Sequence, residues 1–287
     1  MPRFITPTIW ELSGADLASG LIKTRRGMAD LLYPELHRGA VLAMPFSLGQ
    51  TGGTSLDVSG YRNNGTLTNG PTWQGRDGLS FDGTNDYVDT NSPISDLFSQ
   101  STGVMAAWIK PSSAGSTIAD AWHGRGIMAD RNGFLGLVQG SIGGDDRIWA
   151  WNWDGSQDRV GAPYVVNAWQ HVAWTHVSGQ LSVAINGEIV GSVASGNSVI
   201  TTNLYIGLGY IFGTNKWFDG IIDDARIYNR EITAAEIAQL YTAGRPGETG
   251  GIYQARLRPK VFAFGSSATP WLYARRQSQI IGSGLGV

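Results

Sequence analysis

The sequence predicts an all-β fold in which two antiparallel sheets pack as a jelly-roll sandwich, with one short helix near residues 234–242 and extended terminal arms. Two strands that alternate apolar and polar residues flank the tight turn at Ser178-Gly179, and a second turn follows at Asn186-Gly187. The 40 glycines follow no Gly-X-Y period, and 11 tryptophans accompany them. About ten short strands separated by turns, with no strand–helix alternation, favour two packed sheets.

The individual strands are predicted in chain order from their apolar patterning. A continuous apolar run, AVLAMPFSL, begins at residue 40, and the turn-dense segment after it leads into LSFDGTNDYVDT. VMAAWIKP is a further strand, and a hairpin is expected about Asn132-Gly133. DDRIWAWNWDG precedes the meander of residues 167–190, and NLYIGLG and GIIDDARIYNR follow it.

One helix has clear start and stop signals. Thr233 is a favourable N-cap with Glu236 at the third helical position, which is the capping-box pattern. Ile232 before the cap and Ile237 after it form a hydrophobic staple, and Gly244 ends the helix. The side chains predicted to hold it on the edge of the sandwich are Ile237, Leu240 and Tyr241.

Composition excludes several classes of protein and site. A chain with 42% hydrophobic and 15% charged residues is typical of a globular protein with a substantial core. The absence of cysteine excludes disulfides, thiolate metal sites and thiol nucleophiles. No stretch approaches the ~18 apolar residues of a membrane span, and the first residues lack the basic and apolar regions of a signal peptide. We therefore expect synthesis in a host cytoplasm without a secretion signal and no membrane partner.

Charge divides the chain into three regions. Residues 1–38 carry a net charge of +1, residues 39–243 carry −8 and residues 244–287 carry +5. We interpret the first region as an N-terminal arm, the second as the jelly-roll body and the third as a basic, extended C-terminal arm. The charge split suggests that the basic arm lies on an acidic surface, its own or a neighbour's, or near nucleic acid; the alternative is chance clustering of charge in a loop. Its candidate assembly residues are Arg256, Arg258, Lys260, Trp271, Arg275 and Arg276.

Three segments resemble the laminin-G-like, concanavalin A-like jelly-roll family: GLSFDGTNDYVDT, NAWQHVAWTHVSGQLSVAINGEIVGSV and WFDGIIDDARIYNREITAAEIAQLY. The resemblance covers about residues 40–243 and implies a two-sheet, lectin-like sandwich. That family includes glycan binders and has relatives among glycoside hydrolases. The arms, with RGMADLLYPELHRGAVLAM leading in and PWLYARRQSQIIGSGLGV leading out, resemble those of virion-associated proteins of tailed bacteriophages that carry this domain.

A catalytic function is not expected from the acidic residues and histidines. Glycoside hydrolysis needs two carboxyl groups at a fixed separation, and the 6 glutamates include no E-x-D-x-x-E strand motif. Asp223 and Asp224 are adjacent, so a regular strand would send them to opposite faces. His171 and His176 also face opposite sides, and the sequence contains no H-E-x-x-H. We predict that the protein is not an enzyme and has no catalytic residues.

A structural calcium ion is a possible cofactor, because the chain is rich in hard oxygen ligands and jelly-roll relatives often bind calcium. The candidate ligands are Asp57, Asn64, Asp223 and Asp224. In the alternative interpretation, Asp57 and Asn64 form turns by bonding to nearby backbone, and Asp223 is the partner of an arginine. No other cofactor is expected.

The residues Trp149, Trp151 and Trp153 fall on one face of a strand and are the best candidate binding surface. Flat aromatic faces can stack on sugar rings or on a neighbouring subunit. The tryptophans can equally be core residues, because the opposite face of Ile148, Ala150 and Asn152 looks too small and mixed to be the only core side. Trp122 and His123 are expected to line a nearby loop.

These observations together favour a structural virion protein, namely a capsid decoration or other surface-exposed phage component that stabilises the particle and adheres to glycans. We expect a homo-oligomer, with a trimer preferred, located at the virion surface. Other virion proteins and glycans are the expected partners, whereas nucleic acid and membranes are not. The alternative is a carbohydrate-binding lectin or a receptor-binding protein.

Overall fold

A computed structural model describes residues 34–244 apart from residues 50–51, 100, 116, 119–123, 143–144, 199 and 212–213. In chain order its strands are β1 (Ala40–Met44), β2 (Thr54–Ser55), β3 (Gly65–Thr68), β4 (Thr72–Trp73), β5 (Leu79–Asp82), β6 (Tyr87–Pro93), β7 (Thr102–Pro111), β8 (Thr117–Ile118), β9 (Arg125–Asp130), β10 (Leu135–Ile142), β11 (Asp145–Trp153), β12 (Gln157–Ala162), β13 (Gln170–Val177), β14 (Gln180–Ile185), β15 (Glu188–Ala194), β16 (Asn203–Ile206), β17 (Leu208–Ile211), β18 (Thr214–Trp217) and β19 (Asp219–Tyr228). The helices are α1 (Ile94–Leu97) and α2 (Ala234–Thr242), and 3₁₀ turns occur at Pro34–His37, Phe46–Leu48 and Gly75–Asp77.

The strands form two large sheets and one hairpin. The eight-stranded sheet has the order β15-β14-β13-β7-β19-β5-β4, and β1 pairs with β19. The nine-stranded sheet has the order β12-β11-β10-β9-β16-β6-β3-β2, and the short strand β8 pairs with β10 in parallel. The remaining strands, β17 and β18, form the hairpin. The predicted two-sheet, antiparallel jelly-roll sandwich is confirmed, with β8 as a parallel exception among the described strands.

The predicted meander is β13, β14 and β15. Ser178 and Gly179 have φ values of 51° and 77°, and Asn186 and Gly187 have values of 49° and 85°. Two consecutive residues with positive φ match the turn twist that two antiparallel strands require. Both turns therefore place the strands in direct succession in the eight-stranded sheet, as the sequence predicts.

The main core lies between the two sheets. Val172, Trp174, Leu181 and Val183 of the meander all contribute to it. The indole of Trp174 is 1% exposed, and its Nε1 crosses to the nine-stranded sheet and donates a hydrogen bond to the Trp151 carbonyl over 3.0 Å. Trp169, which leads the meander in sequence, is only half-buried. Trp174 is therefore the tryptophan with which the meander fills the core.

The helix α2 begins and ends as predicted. The Thr233 side chain accepts a hydrogen bond from the Glu236 amide, and the Glu236 carboxylate accepts one from the Thr233 amide. The helix packs on the outer face of the eight-stranded sheet and contacts β15, the strand at the edge of that sheet. Tyr241 remains 38% exposed, although it stacks on Trp108 at 5.6 Å between ring centroids. The helix and the outer face of this sheet share a second hydrophobic cluster, separate from the main core. Its side chains are Leu36, Ala40, Val104, Ala106, Ala173, Ala184, Tyr228, Ile232, Ile237, Leu240 and Ala243.

The 3₁₀ turn at Pro34–His37 belongs to the sandwich, although the sequence assigned residues 1–38 to an arm. Leu36 belongs to the second cluster and is 1% exposed, and its carbonyl accepts a hydrogen bond from the Tyr228 hydroxyl over 2.7 Å. The body therefore includes at least residues 34–38. The rest of the two predicted arms, residues 1–33 and 245–287, lies outside the described residues. Within the described part, no helix is both long and apolar enough to cross a membrane.

Candidate functional site

The three tryptophans of β11 lie on the outer face of the nine-stranded sheet. Ile148, Ala150 and Asn152 alternate with them, and these three side chains are 0%, 0% and 2% exposed. Ile148 and Ala150 belong to the main core. The small, mixed face of β11 is therefore its core side, contrary to the prediction that it could not fill this role alone. Successive side chains of a strand point to opposite faces, so the tryptophans face away from the core.

Trp149 lies across its neighbouring strands. Gly161 of β12 pairs directly with Trp149, and a Cβ atom on Gly161 would approach the indole Cε3 to 2.5 Å. The indole therefore occupies the space over the Gly161 backbone. On the other side, its Nε1 donates a hydrogen bond to the Gly140 carbonyl of β10 over 2.9 Å. Because glycine leaves room on β12 and a carbonyl holds the ring nitrogen on β10, the indole has one fixed orientation across the sheet.

Trp151 and Trp153 extend this aromatic row along β11. Trp151 is 4% exposed, and its Nε1 donates to the Gly133 carbonyl over 2.8 Å. Trp153 is half-buried at the end of the strand, and its backbone amide donates to the Phe134 carbonyl over 2.7 Å. The Phe134 ring is itself 37% exposed. The row thus has a buried centre and two accessible ends.

Polar side chains of β12 run beside the row. The pairing of β11 with β12 places Arg159 opposite Trp151 and Gln157 opposite Trp153, and directly paired residues share one face of a sheet. The Arg159 Cζ atom lies 6.0 Å from the ring centroid of Trp149, at the outer limit of a cation–π contact. We call Trp149, Trp151, Trp153, Arg159 and Gln157 together the tryptophan face.

The tryptophan face combines apolar area with hydrogen-bond donors. Indole faces can stack on flat apolar surfaces, including those of sugar rings. The guanidinium of Arg159 and the amide of Gln157 can donate to hydroxyl or carboxylate oxygens beside such a ring. Sequence reasoning found the tryptophans but missed Arg159 and Gln157. The three-residue loop Asp154-Gly155-Ser156 carries the missing signal, because a hairpin with this loop pairs residue 151 with 159 and residue 153 with 157.

The two other predicted ligand-binding residues, Trp122 and His123, lie outside the described residues. The same holds for all the predicted assembly residues of the C-terminal arm, which are Arg256, Arg258, Lys260, Trp271, Arg275 and Arg276.

The side chains of the predicted calcium ligands Asp57 and Asn64 accept hydrogen bonds from backbone amides. The Asp57 carboxylate accepts hydrogen bonds from the amides of Ala43, Ser59 and Asn63 over 2.8–2.9 Å, and from the Ser59 hydroxyl over 2.7 Å. The Asn64 side-chain oxygen accepts from the Asp57 amide over 2.9 Å. These contacts match the turn-forming alternative, and the link to Ala43 also attaches the loop to β1.

Asp223 and Asp224 occupy an irregular position in β19. Asp224 has a φ of 49° within an irregularity of the pairing with β7, so the two carboxylates do not simply alternate between faces. Asp224, not Asp223, is the arginine partner: its Oδ1 accepts from Arg226 Nε over 2.8 Å. Asp223 Oδ1 accepts from the amides of Ser47 and Asp224 over 3.0 and 2.8 Å. Among the described residues no three acidic or histidine side chains form a group that could hold a metal ion.

Burial strongly shifts the pKa of Asp223, His37 and His171. Burial, with the charge of Asp224 as a smaller cause, raises the pKa of Asp223 to about 7. Burial and the nearby Arg226 lower the pKa of both His37 and His171 to about 3. His171 and His176 lie on opposite faces as predicted: His171 packs edge-on to Trp108, whereas His176 stacks on Trp174. We see packing roles for both histidines.

Known proteins that match this chain share its two-sheet architecture. The family model of the concanavalin A-like lectin/glucanases superfamily (Laminin_G_3) matches residues 82–238. No protein of curated function matches the sequence. Solved structures that match include the binding domain of botulinum neurotoxin serotype D, with a TM-score of 0.53 and 15% identity over 73% of this chain and 53% of that one.

Two further solved structures show similar values. The binding domain of botulinum neurotoxin DC, in complex with rat synaptotagmin II, has a TM-score of 0.52 and 15% identity over 72% of this chain and 52% of that one. A structure of botulinum neurotoxin type C, whose cell entry depends on interaction with two ganglioside molecules, has a TM-score of 0.51 and 16% identity over 74% of this chain and 53% of that one. The chain thus spans about half the length of these structures, and at such identities the likeness establishes the fold. The sandwich and the matched region together show that this chain belongs to the concanavalin A-like lectin/glucanases superfamily.

Proposed function

We propose that this protein is a non-catalytic carbohydrate-binding module that recognises glycans through the tryptophan face. The observation that carries the proposal is the position of the Trp149 indole. Its Nε1 donates a hydrogen bond to the Gly140 carbonyl of β10, and its ring fills the space over Gly161 of β12. A ring that is fixed before binding loses little conformational entropy when a ligand stacks on it. Membership of a superfamily of lectins and glucanases agrees with this proposal.

The chemistry of the tryptophan face suits a sugar better than a purely apolar ligand. Sugars combine apolar ring faces with many hydroxyl groups, so a binding surface needs aromatic area beside hydrogen-bond donors and acceptors. Trp149 and Trp153 provide the aromatic area, and Arg159 and Gln157 provide the polar groups on the next strand. Receptor binding through a glycan is therefore the form of the proposal that the geometry favours.

A glycan array tests the proposal directly. We expect the full chain to bind a defined subset of glycans, and the variants Trp149→Ala and Trp153→Ala each to lose most of that signal. Tyr61→Ala is the matched control, because Tyr61 is an aromatic side chain that is 62% exposed in the loop between β2 and β3. An array without any bound glycan, or equal binding by the two tryptophan variants and the wild type, would contradict the proposal.

We propose as a second function that the protein is a structural component of a virion surface, where it decorates the capsid or another exposed part of a phage particle. The supporting observation is the charge split of the sequence, with −8 in residues 39–243 and +5 in residues 244–287. Opposite charges favour contact between a basic segment and an acidic surface of a neighbouring copy or another virion protein. A homo-oligomer, preferably a trimer, is the expected state.

The mass of the protein in solution tests this second function. Light scattering on the full chain should give a trimer, and removal of residues 245–287 should lower the mass to that of a monomer. This truncation ends after Gly244 and leaves every described strand and helix in place. A monomeric full chain with a dispensable C-terminal segment would contradict the assembly role and leave the glycan-binding proposal intact.

A further inference from the structure

Resting on the proposed function, we infer that the ligand of the tryptophan face is an extended, linear oligosaccharide that lies along β11 and stacks separately on Trp149 and Trp153. Three features of the face carry this inference: the spacing of its two accessible rings, the burial of the ring between them, and the polar side chains on one flank.

The spacing of the accessible rings exceeds the size of one sugar ring. Trp149 and Trp153 are four residues apart on one strand, which places their Cα atoms about 13 Å apart at the usual rise of a strand. A single pyranose ring cannot contact both indoles at this separation. A chain of about three consecutive rings can, provided that it is extended and runs parallel to the strand.

The polar side chains Arg159 and Gln157 of β12 flank the middle of the tryptophan face. Trp151 is only 4% exposed, so it supports its neighbours and leaves little ring area for a ligand. Arg159 lies directly opposite Trp151, and Gln157 lies directly opposite Trp153. These two side chains are about 7 Å apart along β12. They can therefore donate hydrogen bonds to hydroxyls on successive rings of a chain that passes over Trp151.

The two ends of the tryptophan face are supported by different contacts. The Trp149 indole is placed by the Gly140 carbonyl and by the space over Gly161. The backbone of Trp153 is held by the hydrogen bond that its N–H donates to the Phe134 carbonyl and by the one that its carbonyl accepts from the Ser198 hydroxyl. Two separate stacking sites should act together on one long ligand, because the second contact becomes intramolecular once the first has formed. Affinity should consequently depend on ligand length.

Calorimetric titration of the full chain with cello- and chito-oligosaccharides of one to six rings tests this inference. We expect weak binding of one and two rings, and a rise of at least about tenfold in affinity of at least one series at about three rings, with little further change. Trp149→Ala and Trp153→Ala should each remove the length dependence. Trp149→Phe, which keeps a ring in place, should retain part of it, and Tyr61→Ala should retain all of it.

The outcomes separate this inference from the function on which it rests. Equal affinity for one and six rings, or loss of binding in only one of the two alanine variants, would overturn the extended-chain inference. Binding of other glycans on the array while neither series binds would overturn it as well. The absence of any glycan binding would instead remove the proposed function itself. Melting temperatures within a few degrees of the wild type would show that each variant is folded.

Discussion

The substitution Asp223→Asn should make the protein more stable at neutral pH and leave its stability in acid almost unchanged. The Asp223 carboxyl is fully buried, and its Oδ1 accepts two backbone hydrogen bonds that asparagine can also accept. Its Oδ2 has no hydrogen-bond partner. The native environment therefore suits the neutral form of this side chain, and ionisation there is unfavourable.

The magnitude follows from the shift in its pKa. Burial and the charge of Asp224 raise the pKa of Asp223 from 3.8 to about 7 in the folded protein. A group with a raised pKa contributes its full stabilisation below the unfolded value, loses it progressively as pH rises to the folded value, and changes no further above it. A shift of about three units corresponds to about 4 kcal/mol. The advantage of asparagine should thus grow by about 4 kcal/mol between pH 4 and pH 8.

Urea unfolding followed by tryptophan fluorescence, at five pH values from 4 to 8, measures this difference. Asp96→Asn is the control, because Asp96 is an exposed carboxylate on the short helix α1. The control should give a much smaller change across the same range. An equal free-energy difference between Asp223→Asn and the wild type at pH 4 and pH 8, or an advantage of the variant that shrinks as pH rises, would refute the reasoning.

Three further predictions concern the tryptophan face, the cap of helix α2 and the response to calcium. Gly161→Val should push the Trp149 indole out of position, because even a Cβ atom would approach its Cε3 to 2.5 Å, and glycan affinity measured by calorimetry should fall about tenfold or more. Thr233→Ala should lower the free energy of unfolding by about 1 kcal/mol, because it removes half of the capping box with Glu236, and urea unfolding at pH 7 measures this loss. Addition of calcium or a chelator should leave the melting temperature unchanged, and a clear rise with calcium would contradict this prediction and support the calcium site expected from Asp57, Asn64, Asp223 and Asp224.

Local sequence signals predicted α2 and the meander well because the interactions that define them are short in range. The capping box involves residues three apart, and each meander turn needs only two residues that tolerate positive φ. The face that β11 turns toward the core depends instead on a distant strand. Trp174 crosses from the opposite sheet to the Trp151 carbonyl. This large ring lets the small Ile148 and Ala150 suffice as the core side of β11.

The candidate site was predictable in part. The row of tryptophans follows from the period of a strand, and the three-residue loop at residues 154–156 could have located Arg159 beside it. The hydrogen bonds of the Asp57 carboxylate could not all be read from the sequence, because one of them comes from the amide of Ala43 on β1, 14 residues away. The arginine partner could not be read from the sequence either. The positive φ of Asp224 makes the backbone irregular there, and Asp224 forms the ion pair with Arg226 that the sequence assigned to Asp223.

Calorimetric titration of the wild type and of Trp149→Ala with the glycan that gives the strongest array signal tests the central claim most directly. We predict saturable binding by the wild type and by Tyr61→Ala, and at least about a tenfold loss of affinity in Trp149→Ala without loss of folding. Unchanged affinity in Trp149→Ala would contradict the claim that the outer face of the nine-stranded sheet is the binding site.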